Sequence, residues 1–448
     1  MSKAVSRLGP MWLGMASPRM TEQVEPLIVE RGEGVYVYDK NGHRMLDSQG
    51  GLWCVNIGHG RPEMKEAITN QLDKIACYNN FVDTSNNPAI ELSKKVISMT
   101  QQEDMARVMF CSGGSDANET ALKLARQYWK LKGMPQRTNF ISMQYGYHGV
   151  HFGGMSINGN DYYKEPYAPV LPGCYQIPSP FTYRNDISDD PTELAEHCAQ
   201  KLEEKLLEVG PETVAAFIGE PIQGAGGAVV IPPENFWPRI REICDQYEVL
   251  LICDEVITGF GRSGSMFGSR GAGIAPDIMC LAKGISSGYI PLGATVVNQR
   301  VASAWEVDGP EGLIMHGFTY MGHPLACAAG LTALSIVEKE DLPANAAEVG
   351  AYFLQQLTPL LEKYEAIGDI RGKGLMLAIE LVQNRTSKEP LHHDDESPLL
   401  VSQAAMKRGL IIRALGNSLI MSPPLIFSKE NADEATSIID QAFAAVYS

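Results

Sequence analysis

VLLICDEVITGFGRSGSMFGSRGAGIAPDIMCLAKGISSGYIPLGATVV (249–297) decides the fold. It holds three short apolar runs, VLLIC (249–253), IMCLA (278–282) and LGATVV (292–297). Runs that are apolar throughout, rather than alternating, fit strands covered on both faces, as in a parallel sheet flanked by helices. Reading outward, RVMFC (107–111), NFISM (139–143) and TVAAFIG (213–219) repeat the pattern. Helical patterns lie between several of these runs, at 116–132, 192–208 and 234–248. This alternation predicts an α/β domain built on a largely parallel sheet. In such sheets ligands bind beyond the carboxyl ends of the strands, which makes the residues after each run the ones to inspect.

Those residues carry chemistry. RVMFC leads into Gly113, Gly114 and Ser115 ahead of a helix, a turn that offers free N–H groups and a favourable dipole to a phosphate. The same turn also suits simple chain reversal. NFISM leads to Tyr147 and His148, where an aromatic could stack on a flat ligand or merely pack a loop. TVAAFIG is followed by Glu220, which needs a partner or a task if buried, and a cap or ion pair would satisfy it. VLLIC ends at Asp254, costly to bury unless it meets a cation or donor. IMCLA ends at Lys283, an unusual place for lysine, where partial burial favours a neutral nucleophilic amine. One ligand accounts for all five positions: pyridoxal 5′-phosphate requires a lysine for its aldehyde, an acid for its ring nitrogen, a phosphate cradle and a surface for its ring.

The flanks are simpler. GVYVYDKNGHRMLD (34–47) reads as a hairpin with a type I′ turn at Asn41-Gly42, followed by a helix over 61–78. Beyond residue 324 come helical patterns at 324–338 and 344–365, the run LMLAIELV (375–382), a polar loop (383–396), a helix (397–408) and the strands GLIIRA and SLIMSPP. This resembles a smaller α+β domain onto which the N-terminal hairpin packs, since a lone hairpin is marginal. A chain of 448 residues suits two or three domains. The boundaries expected are 1–60, an N-terminal segment belonging to the small domain, 61–326 for the large domain, and 327–448 for the rest of the small one.

A net charge of −16 argues against nucleic acid and anionic membranes as partners. There is no membrane-length apolar run and no signal-peptide pattern at the start, so a cytoplasmic location is expected. The nine cysteines lack metal-ligand spacing and read as reduced, mostly buried residues; no metal site is expected.

Taken in order, LWCVNIGHG, SGGSDANE, YHG, GEPIQGAGG, DEVITGFGRSG, AKGISSGYIPLGA, HGFTYMGHP and RGKGLMLAIEL resemble the class III (omega) aminotransferases over nearly the whole chain. The resemblance implies the type I pyridoxal-phosphate (aspartate aminotransferase-like) fold. That fold has a large domain with a mostly parallel seven-stranded sheet and a smaller α+β domain. It also implies a homodimer with shared active sites, or a tetramer of such dimers. Lys283 resembles the lysine that forms the Schiff base and later moves the substrate proton. Asp254 resembles the partner of the pyridinium nitrogen. Val256 and Tyr147 resemble the residues on the two ring faces, Gly114 and Ser115 the phosphate turn, and Glu220 a glutamate ordering the ring's surroundings. Thr319 resembles a threonine reaching the phosphate from the other subunit, and His148 joins the cofactor-binding set through YHG. One departure is CSGGSDANE, with Gly113 where the family often has serine, so a hydroxyl near the phosphate is lost.

Trp53 in GLWCVNIGHG and Arg413 in GLIIRALGNSL resemble residues of the omega-amino acid and amine:pyruvate subgroup, where the tryptophan lines the substrate pocket and the arginine binds the keto-acid carboxylate. A buried core tryptophan and a surface arginine are the plain alternatives. The expectation is transfer from a primary amine or omega-amino acid, of the beta-alanine, taurine, diamine or arylalkylamine type, to pyruvate. Alternatives are 2-oxoglutarate as acceptor, or an aminomutase or decarboxylating transaminase on the same fold. The N-terminal twenty residues are expected to close over the site, with Trp12 as a pocket aromatic.

Overall fold

The computed structural model describes residues 10–21 and 26–447, so the first nine residues of the N-terminal segment lie outside the described part. It opens with strands β1 (Val29–Glu33), β2 (Tyr36–Asp39) and β3 (Arg44–Asp47). The central sheet follows, made from β4 (Met105–Cys111), β5 (Asn139–Met143), β6 (Cys174–Ile177), β7 (Val214–Gly219), β8 (Leu250–Asp254), β9 (Ile278–Leu281) and β10 (Gly293–Asn298). Its order is β4-β10-β9-β8-β7-β5-β6, and only β10 runs against its neighbours. The carboxyl ends of β4, β5, β7, β8 and β9 therefore share one edge.

Helices α1 (Pro62–Leu72) and α2 (Asn87–Met99) precede the sheet, and α3 (Gly114–Leu131) covers one face of it. Ala117, Ala121, Ala125 and Tyr128 recur at helical spacing along α3 and bury against Ile252, Ile278 and Cys280. On the other face lie α4 (Pro191–Val209) and α5 (Phe236–Gln246), with Leu194, Cys198, Leu202 and Leu206 packed on Phe217 and Leu251. Asp190 starts α4 by accepting from Thr192 N at 2.7 Å and Glu193 N at 3.2 Å. Truncating a leucine to alanine at such fully buried positions costs about 2–5 kcal/mol, so the sheet is a stiff platform for whatever sits on its edge.

The C-terminal section begins with α6 (Pro324–Lys339) and α7 (Leu342–Leu357) and ends with α8 (Ser397–Lys407) and α9 (Lys429–Tyr447). Between them β11 (Ile367–Lys373), β12 (Met376–Asn384), β13 (Glu389–Pro390), β15 (Arg413–Leu415) and β16 (Ser418–Met421) form an antiparallel sheet. Strand β14 (Leu410–Ile411) leaves that sheet and pairs in parallel with β3, Leu410 beside Leu46. The N-terminal hairpin thus packs on the C-terminal section. Leu46 and Ile57 share one core with Phe353, Ile379, Phe427 and Phe443.

Several local expectations are corrected. The hairpin turn is not the two-residue type I′: of Asn41 and Gly42 only Gly42 has positive φ, +82°. Asp39 accepts from Asn41 N at 2.8 Å and His43 N at 2.9 Å, which favours a longer turn closed by its carboxylate. The helix expected over 61–78 stops at Leu72, and the one over 344–365 breaks after Leu357, where Pro359 removes a donor. The polar loop 383–396 carries β13, paired with β12. Strand β6 leaves no mark in the apolar pattern, because it is a half-exposed edge strand with no continuous apolar run. No helix among the described residues is long and apolar enough to cross a membrane.

Candidate active site

The edge of the central sheet frames a cavity of about 340 Å³. Gly114, Ser115, Tyr147, Glu220, Asp254, Val256 and Lys283 all line it, delivered by successive strand ends and the turns after them. Ser112 and Gly113 line it too.

Asp254 closes β8 and is 3% exposed. Its Oδ2 accepts from Asn118 Nδ2 at 2.8 Å and from His148 Nδ1 at 2.9 Å, and its Oδ1 accepts from Val256 N at 3.1 Å. Since a carboxylate accepts, His148 carries its proton on Nδ1. His148 lies behind Asp254 rather than on the cavity wall, and Asn158 Oδ1 accepts from its backbone N at 2.6 Å. Of the sequence-derived set, His148 therefore acts on the cavity only through Asp254. Asn118, one turn along α3 from Gly114, is a site residue that the sequence pattern misses. Its one signal is a polar amide on the buried, mostly apolar face of that helix.

Lys283 follows β9, with Cys280 paired to Asp254 across the strands. Its backbone sits in the left-handed region, φ +46°, which is strained for a residue with a Cβ. Burial pushes its amine below the ordinary lysine value, while the charges of Asp254 and Glu220 oppose the fall. Glu220 is pushed up to about 7, first by burial and then by Asp254. Two N–H groups hold it in place, Tyr147 N at 3.0 Å on Oε1 and Gly224 N at 2.8 Å on Oε2. Burial also raises the Tyr147 hydroxyl, and its ring meets that of Tyr163 at 5.1 Å.

The turn at α3 has two unlike glycines. A Cβ on Gly114 would lie 2.8 Å from Val256 Cγ1, so that position has no room for a side chain. Gly113 is extended, φ 179°, and faces open space, so the serine often found in similar sequences would fit there. Ser115 Oγ accepts from Val150 N at 3.1 Å.

Four further positions fall elsewhere. Trp53 is 2% exposed, packed with Ile222, Val229, Ile257 and Ile420, one layer behind the wall. Leu52 lines the cavity in its place. Gly50, Gly51 and Trp53 all have positive φ, and Asp47 accepts from Gly51 N at 2.9 Å, so the chain reverses locally and puts the neighbouring side chain forward. Thr319 is exposed and off this wall. Arg413 lies on β15, and its side chain has no ion pair or hydrogen bond among the described residues. It is near enough that its charge acts on Lys283, Tyr147 and Tyr163. Trp12 is 84% exposed and shares a surface groove with Gly149, Phe152 and Tyr163 beside the cavity.

The donor set fits pyridoxal phosphate. It offers an amine, a buried carboxylate, and a helix N-terminus behind a glycine turn. Asn118 Oδ1 and His148 Nε2 are buried without a partner in the same cluster.

The family model for class-III aminotransferases matches residues 17–443. The chain is 42% identical over 423 residues to a putrescine–pyruvate aminotransferase of Pseudomonas aeruginosa, covering 94% of this chain and 91% of that one. It is 40% identical over 424 residues to a diaminobutyrate–2-oxoglutarate transaminase of Halomonas elongata, covering 93% and 89%. Its structure is similar to a pyridoxal-phosphate-bound amine transaminase from an uncultivated Pseudomonas species, with TM-score 0.96, 50% identity, and 98% and 99% coverage.

Proposed function

We propose that this chain, which belongs to the class III aminotransferases and so works with pyridoxal phosphate, moves an amino group from a primary amine or omega-amino acid to pyruvate. The cofactor supplies an aldehyde that takes up the amino group and a ring that spreads the charge left on carbon. Lys283 Nζ takes and returns the proton at the donor's amine-bearing carbon, a task suited to an amine that burial keeps easily deprotonated. Asp254, fixed by Asn118 and His148, would be the acid partner of the ring nitrogen. The Gly114-Ser115 turn would hold the phosphate through its N–H groups, and Val256 and Tyr147 would hold the ring. Glu220 holds Tyr147 in place through its backbone.

One observation carries the choice of a keto acid as acceptor: Arg413, a guanidinium with no ion pair among the described residues, beside Tyr147 and Tyr163. It binds the keto-acid carboxylate and leaves the apolar wall around Leu52 and Ile257 to the donor. The similarity to a putrescine–pyruvate aminotransferase supports pyruvate, and that to a diaminobutyrate–2-oxoglutarate transaminase supports the second reading, 2-oxoglutarate. Purified protein given beta-alanine, taurine, putrescine and phenylethylamine in turn, with each keto acid, separates them. Alanine formation is the expected result; glutamate without alanine would overturn it.

The same proposal covers assembly and layout. Leu313, Ile314, Met315 and Tyr320 stand exposed around Thr319, an apolar stretch that suits contact with a second copy, whose cavity Thr319 would serve. Light scattering should return a dimer or a multiple of it. The large unit at 61–326 is supported by the central sheet, which lies wholly between Met105 and Asn298.

A further inference from the structure

One histidine outside the cavity ties the cavity wall to the exposed segment carrying Thr319. His316 is half-buried against α3 and packs edge-on against Phe318, with ring centroids 5.0 Å apart. Its Nε2 lies 2.8 Å from Thr120 Oγ1 and its Nδ1 lies 2.9 Å from Lys123 Nζ. The neighbours fix the directions of these bonds. Thr120 gives its single hydroxyl proton to the Asp116 carbonyl at 2.7 Å, so its oxygen accepts from His316 Nε2–H. An ammonium only donates, so Nδ1 accepts from Lys123. His316 is therefore a neutral imidazole protonated on Nε2.

The Asp116 carbonyl belongs to the first turn of α3, the turn that brings Gly114 and Ser115 to the cavity. The Asp116 side chain braces the same turn, accepting from Ser112 N at 2.9 Å and pairing with His151 Nε2 at 2.7 Å. On the far side, Gln127 Nε2 donates to Leu313 O at 2.7 Å, so the segment leading to His316 is anchored to the same helix.

We propose that His316 is a positioning residue that holds the first turn of α3 and the segment 316–320 in fixed register, so that cofactor retention depends on its neutral donor–acceptor pair. The inference rests on the reading of Gly114-Ser115 as the phosphate turn. The charges acting on the ring are Lys123, Asp116 and Glu119 from α3, and the shared cleft also carries Arg126 and Lys130 from α3 with Asp308 and Glu311 on the opposite rim. Protonation of His316 would set an N–H against the Lys123 ammonium and release the bridge.

The test is release of pyridoxal phosphate from the holoenzyme during dialysis, followed by protein-bound visible absorbance. His316→Ala and Thr120→Val should each release it about tenfold faster, the size expected for losing one hydrogen-bonded link. The two together should be no faster than His316→Ala, because both break one chain of contacts. His316→Gln offers an acceptor to Lys123 and a donor to Thr120, and should stay within about twofold of the unsubstituted protein. Gly114→Ala, which sets a methyl against Val256 and shifts the N–H groups of the turn, is the control. If it speeds release while His316→Ala and Thr120→Val do not, the positioning role is overturned and the phosphate reading stands. If Gly114→Ala changes nothing either, the phosphate reading itself fails. Release from His316→Gln as fast as from His316→Ala would also overturn the positioning role.

Discussion

The floor of the cavity and its rim are built on different terms. The floor is a set of strand ends in which both carboxylates are held: Asp254 by Asn118, His148 and Val256 N, and Glu220 by two backbone N–H groups. The rim consists of Leu52, half exposed on a glycine reversal, Arg413, unpaired among the described residues, and an exposed Trp12 in a neighbouring groove. Groups that handle the cofactor are preorganised, while groups that meet substrates keep freedom to adapt.

The contrast can be broken by substitution. Lys283→Ala should abolish turnover, a loss on the order of 10⁴, and remove cofactor-derived colour, with folding intact by circular dichroism. A yellow, active variant would sever Lys283 from the chemistry. Arg413→Ala should act on one half of the reaction only, raising KM for pyruvate roughly tenfold to a hundredfold and leaving the amine half-reaction near its original rate. Equal damage to both halves would place Arg413 with the floor.

Two glycines sharpen the comparison at closer range. Gly114→Ala puts a methyl against Val256 and should weaken cofactor affinity about tenfold by absorbance titration. Gly113→Ser enters open space and should change affinity by less than about twofold. The smallest effect concerns Glu220, whose carboxyl is pushed up to about 7 in the folded protein from an ordinary 4.5. Between those pH values the folded state holds a proton that the unfolded state has lost, so its contribution to stability declines as pH rises through that window. Glu220→Gln lacks this dependence. Its melting temperature should fall less between pH 5 and pH 8 than that of the unsubstituted protein, by about 2 °C.

The floor is legible in the sequence for a physical reason. A charged residue ending a continuous apolar strand is exceptional, and Asp254 and Lys283 both stand there. Asn118 and the backing position of His148 are not legible, because only the folded sheet brings them to Asp254. At the rim, the reading of Trp53 as a pocket residue does not match its buried place. The left-handed turn at Gly50-Gly51 decides which of two neighbouring side chains faces the cavity, and a period-based reading cannot see that reversal. Thr319 stands exposed outside the cavity of its own chain, so the role that the resemblance implies for it is not displayed by one chain alone.

The parallel pairing of Leu46 with Leu410 joins opposite ends of the chain in one small sheet. Folding order follows from that contact. The hairpin at 29–47 emerges from the ribosome long before its partner strand is made, and pairings so distant in sequence close slowly. Until β14 arrives, the open edge of β3 is unprotected, a ready template for another strand. Expression at lower temperature, which slows synthesis and association together, should therefore favour recovery of the full-length enzyme over aggregate.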